Sequence, residues 1–416
     1  MNFGESNRGW IVTFSGTGIN LALGILYTWS VIKGGIPDSW GWTNADKALP
    51  YALACIFFSV AMIPAGKLQD KIGPRWVATL GGILTGLGCI MAGISGSSIT
   101  GFVVGFGILA GLGIGFGYAS TTPPAVKWFP PQKTGLIAGI VVSGFGIASV
   151  YIAPLATKLL NSYGVTLGDG TIEKGVSQTM ITFGIGFLII VTLLAQFLQN
   201  PPPAEKDATV SKAQTSASKS SADMNWKEII KTSQFYVLWI MFFAGSAAGL
   251  TFISIAQDLG KKSLGELAFL AVVVMAIGNA SGRILAGWVS DKIGRQWTLF
   301  ITMTLQATAL FVLYLVKGGG GWLPVITLII LIGGNYGSNL ALFPSAMKDF
   351  FGLKNFGLNY GLVFTAWGAA GLIMSWMNGR IKDITGNNNL TYFIIIALLL
   401  VGAGLTFVSR KLARNK

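Results

Sequence analysis

Twelve runs of about 20 apolar residues, divided by short polar interruptions, recur along this chain, each long enough to cross roughly 30 Å of hydrocarbon as a helix. The first covers residues 10–33 and the last 390–409. A soluble fold cannot bury so much apolar length, and with 52% hydrophobic and only 11% charged residues the 416-residue chain is expected to be an all-α membrane protein with twelve transmembrane helices. The first run has no small-residue cleavage site in a suitable context and is expected to be a retained helix. Cys55 and Cys89 fall inside the second and third runs, where buried free thiols are expected rather than a disulfide. The chain has no histidine, which removes the commonest general base and metal ligand; neither an enzyme nor a metal site is expected, and no cofactor is called for.

Residues 200–232 switch to Pro, Ser, Ala and Lys and are predicted to be a polar linker between an N-terminal half, 1–199, and a C-terminal half, 233–416. The halves repeat. "GKLQDKIGPRW" from Gly66 matches "GWVSDKIGRQW" from Gly287 at an offset of 221 residues, and the same offset carries Pro123 onto Pro344 and Lys127 onto Lys348. One offset joining two separate stretches indicates a duplicated six-helix unit, the layout of carriers whose substrate sits near the midplane between two halves.

The net charge of +14 follows the same topology. With both termini on the cytoplasmic side, 19 of the 29 Lys and Arg fall in the termini and cytoplasmic loops, as the positive-inside tendency requires. The chain is therefore expected in a plasma (inner) membrane, crossing it many times with cytoplasmic termini. No basic stripe interleaved with aromatics lies in a soluble segment, so the expected partner is the lipid bilayer and not nucleic acid.

Arg283 is the one Lys or Arg inside a span, and no acidic residue shares the hydrocarbon region with it. Arginine at a helix centre costs roughly 2.5–3.5 kcal/mol on insertion scales. Two roles fit: the side chain reaches the interface or backbone carbonyls, or it faces a cavity and holds an anion. The planar fork suits a carboxylate, which makes the second the leading expectation. Asn279, one turn earlier on the same face, offers a donor and an acceptor to the same guest.

The repeated loop resembles the motif that major facilitator superfamily proteins carry between helices 2 and 3 and between helices 8 and 9. It runs through Gly66, Asp70, Lys71 and Gly73, and again through Gly287, Asp291, Lys292, Gly294 and Arg295, with Pro74 departing from the usual basic residue. The resemblance implies a conformational latch of charges between helices. "YASTTPPAVKWFPPQKTGLIAGIVVSGFG", "SQFYVLW", "NASGRILAGWVSDKIGR" and "LALFPSAMKDFFG" followed by "NYG" are similar to the monocarboxylate porter and oxalate:formate antiporter group. That group implies that Arg283 binds a substrate carboxylate, with Tyr27, Tyr118 and Tyr336 as cavity aromatics. Phe364 and Trp367 are candidate apolar walls, and Asn20, on the face of Tyr27, a candidate wet position.

Two departures bear on the guest. Oxalate exchangers of the group carry a lysine on helix 11 where this chain has Trp367, and animal lactate porters carry an aspartate where it has Asn279. One cavity cation neutralises a monoanion and leaves a dianion uncompensated in a low dielectric. The expected function is secondary active transport of a small, lactate-like monocarboxylate, with proton symport preferred, by a monomer. Exchange of organic anions, with a counter-anion replacing the proton, is the alternative; a carboxylate sensor is a more remote one.

Overall fold

The computed structural model describes residues 3–130, 133–166, 168, 172–202, 224–316, 321–352 and 355–414. Among the described residues, twelve helices are long and apolar enough to cross a membrane: α1 Asn7–Gly35, α2 Asn44–Gln69, α3 Pro74–Ile94, α4 Ile99–Lys127, α5 Leu136–Ser162, α6 Val176–Ala195, α7 Ser233–Ser254, α8 Gly265–Ile293, α9 Arg295–Val316, α10 Trp322–Phe351, α11 Gly357–Thr385 and α12 Asn389–Ala413. Every expected run is present. Twelve crossings put both chain ends on one face, called the terminal face below; the opposite face is the distal one.

Local chemistry sets the helix ends. Thr43 and Asp46 form a reciprocal capping box at the start of α2, each side chain accepting from the other's backbone N–H. Pro74 opens α3 directly after Gly73, whose φ of +84° turns the chain. In the second half Gly294 makes the same turn before α9 with φ +90°. The duplicated loop therefore has one backbone shape in both copies, as its glycines require.

Packing follows the duplication. Helix α3 packs on α6 and α4 in the first half, and α9 packs on α12 and α10 in the second. Two seams join the halves, α2 against α11 and α5 against α8, while α1 also touches α7 and α8. The outer flanks of α6, α9 and α12 expose Ile185, Ile189, Leu193, Ile301, Leu305 and Leu400, an apolar belt that suits lipid and not water. Small residues set the α2–α11 seam: a Cβ on Gly371 would stand 2.4 Å from Cys55 Cβ, and one on Gly379 would stand 2.7 Å from the Ala45 Cα. The seam loosens toward the terminal face, where a Cβ on Gly361 would come no closer than 3.2 Å to Ile63 and one on Gly357 would meet nothing within 4 Å.

Three features depart from the sequence reading. A two-stranded antiparallel hairpin, Val165–Thr166 with Ile172–Glu173, caps the α5–α6 connection, a small exception to the all-α expectation. Helix α4 contains a π-helical stretch over Val103–Ala110, and α1 a 3₁₀ turn over Gly24–Thr28. Within the predicted linker, 203–223 lie outside the described residues, but Trp226–Ile229 form a capped helical turn. The Met224 carbonyl just before it accepts from Asn355 Nδ2 at 3.2 Å and Asn359 Nδ2 at 2.9 Å, so the linker's end is docked on the second half.

Candidate functional site

The 3₁₀ turn in α1 aims Tyr27 at the centre of the molecule. A Cβ on Gly24 would stand 2.2 Å from Ala148 Cβ, so α1 presses on α5 here, and the tighter turn swings the next residues inward. The Tyr27 hydroxyl lies 2.7 Å from that of Tyr336 on α10, a hydrogen bond between the two halves. Trp367 Nε1 on α11 donates to the same Tyr336 oxygen at 2.7 Å. Trp367 stacks on Phe364 with ring centroids 5.0 Å apart.

Around this chain sits an aromatic cage. Phe58 on α2 touches Tyr118, Phe145, Phe364 and Trp367 with centroids between 5.1 and 5.7 Å, and Phe145 on α5 meets the Tyr27 ring edge-on at 4.9 Å. Edge-to-face and offset contacts of this kind favour a fixed arrangement over a sliding one. A small void beside Tyr27, Ser149, Met275 and Asn279 measures about 10 Å³. That is about the room for one water.

Arg283 borders the cage from α8. Its Nε donates to Asn279 Oδ1 at 3.1 Å and one Nη to the Val142 carbonyl of α5 at 3.0 Å, and the guanidinium lies along the α5 backbone at Gly146. Tyr118 faces the same group, and Tyr360 on α11 lies beside the cage with its ring centroid 5.6 Å from that of Phe364. Among the described residues no carboxylate forms an ion pair with Arg283. Neutral acceptors alone hold it, and part of its five-donor fork stays available.

The structure thus brings Tyr27, Tyr118, Asn279, Arg283, Tyr336, Phe364 and Trp367 into one region, drawn from both halves. Asn20 does not belong there: it is fully buried and ties α1 to α4 and α5, donating to Thr121 Oγ1 at 3.2 Å and the Val141 carbonyl at 2.8 Å. Phe58, Phe145 and Tyr360 belong to the region and escaped the sequence reading. Phe58 sits in a featureless apolar run; Tyr360, beside Asn359 in "NYG", was the one with a signal.

At the terminal face the second loop copy is a charge cluster. One Nη of Arg295 reaches Asp291 Oδ1 at 2.7 Å and also the Ser290 hydroxyl, while its Nε lies 3.6 Å from Asp349 Oδ2 on α10. Lys292 lies over the Trp288 ring at 3.7 Å. These contacts stay within the second half. In the first copy Arg75 Nε donates at 2.6 Å to Oε1 of Gln196, just beyond α6, the Lys71 side chain is exposed, and the side chain of Asp70 lies outside the described residues. Gly66 and Gly287 face open space.

A helical bundle with two repeated halves, a lipid-facing belt and a polar group buried where the halves meet defines a membrane transporter. The sequence model of the Major Facilitator Superfamily matches residues 10–375, and the chain belongs to that family. An uncharacterised MFS-type transporter, YhjX, of Escherichia coli (strain K12) is 29% identical over 86% of this chain and 84% of its own. The oxalate:formate antiporter of Oxalobacter formigenes is 27% identical over 94% and 89%, and monocarboxylate transporter 13 of Rattus norvegicus 26% identical over 81% and 73%. Among solved structures, the xylose transporter XylE from E. coli in a partially occluded inward-open conformation has the same fold, with a TM-score of 0.72 at 14% identity over 96% of this chain and 97% of that one.

Proposed function

We propose that this chain moves a small monocarboxylate, lactate or a close relative, across a plasma (inner) membrane by alternating access, as a monomer with both termini in the cytoplasm. One observation carries the reading: Arg283, beside an aromatic cage built from both halves, is held by neutral acceptors and has no carboxylate partner among the described residues. A carboxylate guest supplies the missing charge and accepts the free part of the fork. Asn279 and the tyrosines Tyr27, Tyr118 and Tyr336 orient it, and Phe364 and Trp367 enclose its short tail. The monocarboxylate and oxalate:formate names among the relatives agree with this class of guest.

Passage of such a guest between the halves parts the Tyr27–Tyr336 contact in this scheme, because the void beside Tyr27 and Asn279 is only about 10 Å³. That contact joins the halves, which makes occupancy and the relative position of the halves one event. In this scheme 1–199 and 233–416 move as the two units around the 200–232 linker, and the loops at Gly66 and Gly287 act as latches between their helices. The preferred coupling is symport, because a cationic site that gains an anion and a proton together crosses with little net electrical change.

Labelled lactate, formate and oxalate uptake into proteoliposomes tests the proposal. Lactate accumulation driven by an imposed pH gradient, with no trapped anion, is the expected result. Uptake only against a trapped anion rejects symport in favour of exchange, and no carboxylate uptake under either condition rejects the substrate class.

A further inference from the structure

On the distal face, over the junction of the two halves, lies a second and larger cavity of about 620 Å³. The end of α1, the start of α2 and the α5–α6 hairpin line it from one half; the segment Ala256–Leu264 between α7 and α8 and the end of α11 line it from the other. Five lysines face it, Lys33, Lys47, Lys174, Lys261 and Lys382, against three carboxylates, Asp38, Glu173 and Asp258. Two carboxylates are already engaged: Asp38 by Lys47 at 3.2 Å and Asp258 by Lys261 at 3.0 Å. The balance is positive.

Lys33 stands out within this group. Its side chain is buried, with the residue 7% exposed, and among the described residues it makes neither a hydrogen bond nor an ion pair. Its stem is buried while its ammonium opens on the cavity, within reach of an anion that enters there. The cavity between the halves is half open on the distal face, so water and small anions reach this ammonium. The carboxylate it senses most strongly, Asp258, already serves Lys261. Burial disfavours ionisation of Asp258, yet Lys33 and Lys261 outweigh it and hold the carboxyl below the usual range, which marks the local field as cationic. Lys382, from the other half, adds a second ammonium that has no ion pair among the described residues.

We propose that the distal cavity is an anion-binding site, distinct from the Arg283 region, in which Lys33 and Lys382 hold a compact oxyanion between the two halves. Lysines present compact point charges and not planar forks, so the site selects by charge and size and accepts a carboxylate, a sulfate or a phosphate alike. Lys33 lies six residues beyond Tyr27, roughly 9 Å along the α1 axis, close enough for a carboxylate held here to be next in line for the central cage. Held by one lysine from each half, the anion also closes the distal side. The proposal does not depend on which anion Arg283 binds.

Calorimetric titration of the full chain in lipid nanodiscs with sodium sulfate, at fixed ionic strength, tests it. Saturable binding is expected, weakened at least tenfold in Lys33→Gln and in Lys382→Gln and unchanged within twofold in Arg283→Lys. If Lys33→Gln does not fold, the Lys382→Gln affinity alone decides. Wild-type affinity in Lys382→Gln, binding lost in Arg283→Lys, or no sulfate binding to the wild type would overturn the proposal. Titration in the presence of lactate separates the sources: displacement of sulfate identifies a waiting position for the carboxylate, and undiminished sulfate binding identifies a site for an inorganic anion.

Discussion

A single arginine concentrates the chemistry of the central region, and its partners explain what it can hold. Asn279 and the Val142 carbonyl satisfy part of the fork without neutralising it, so a carboxylate adds charge pairing that no group among the described residues supplies. Arg283→Lys keeps the charge but loses the paired donors. It is expected to cut lactate kcat/KM at least about tenfold, an effect of about 1.4 kcal/mol or more, with expression unchanged. Uptake at the wild-type rate would make Arg283 a structural tie to α5. Trp367 poses the complementary question, because its indole spends its one donor on Tyr336 and offers an anion no charge. Trp367→Lys is expected to improve oxalate competition against labelled lactate by about tenfold if a second cation compensates the second charge. Oxalate competition no better than that of the wild type would place residue 367 outside the guest's reach.

Between elements, the α2–α11 seam is tightest toward the distal face. Its distal end is locked by Asp383 of α11, whose carboxylate accepts from the Asn44 N–H at 2.8 Å, Asn44 Nδ2 at 2.9 Å and the Ala45 N–H at 2.9 Å. A carboxylate at the N-terminus of a helix is favoured by both its orphan amides and its dipole. Deeper along α2, Tyr51 donates to the Leu250 carbonyl of α7 at 3.1 Å, and Cys55 is covered by Gly371 of α11. Opening the distal side must break all three. In a Cys89→Ala background, Asp383→Ala is expected to raise the rate of Cys55 alkylation by a membrane-impermeant maleimide about three- to tenfold, as a shift of up to ~1.4 kcal/mol in the opening equilibrium would do. An unchanged rate would show that the Asp383 contacts do not hold the seam closed.

For the whole molecule, coupling is a question of charge balance. A cycle that carries a monocarboxylate with one proton moves no net charge, so clamping the membrane potential with potassium and valinomycin is expected to leave pH-driven lactate uptake unchanged within about twofold. A steep dependence on potential would point to exchange of anions of unequal charge. Much of this molecule was legible before its structure. Periodic apolar length dictated twelve spans, because a bilayer tolerates only helices that satisfy their own backbone, and the repeat at Gly66 and Gly287 announced two halves because duplicated loops keep their glycine turns. Arg283 was legible because a charge in hydrocarbon is costly enough to demand a reason. What chain order left open was proximity across the halves. The Tyr27–Tyr336 bond joins residues 309 positions apart, Phe58 and Phe145 look like any apolar residue in a span, and Asn20 differs from Asn279 only in what surrounds it. Composition and periodicity set which residues must avoid water; which of them meet at the centre, and that Lys33 and Lys382 face one distal cavity, depends on how twelve helices pack, and only the tertiary structure decides that.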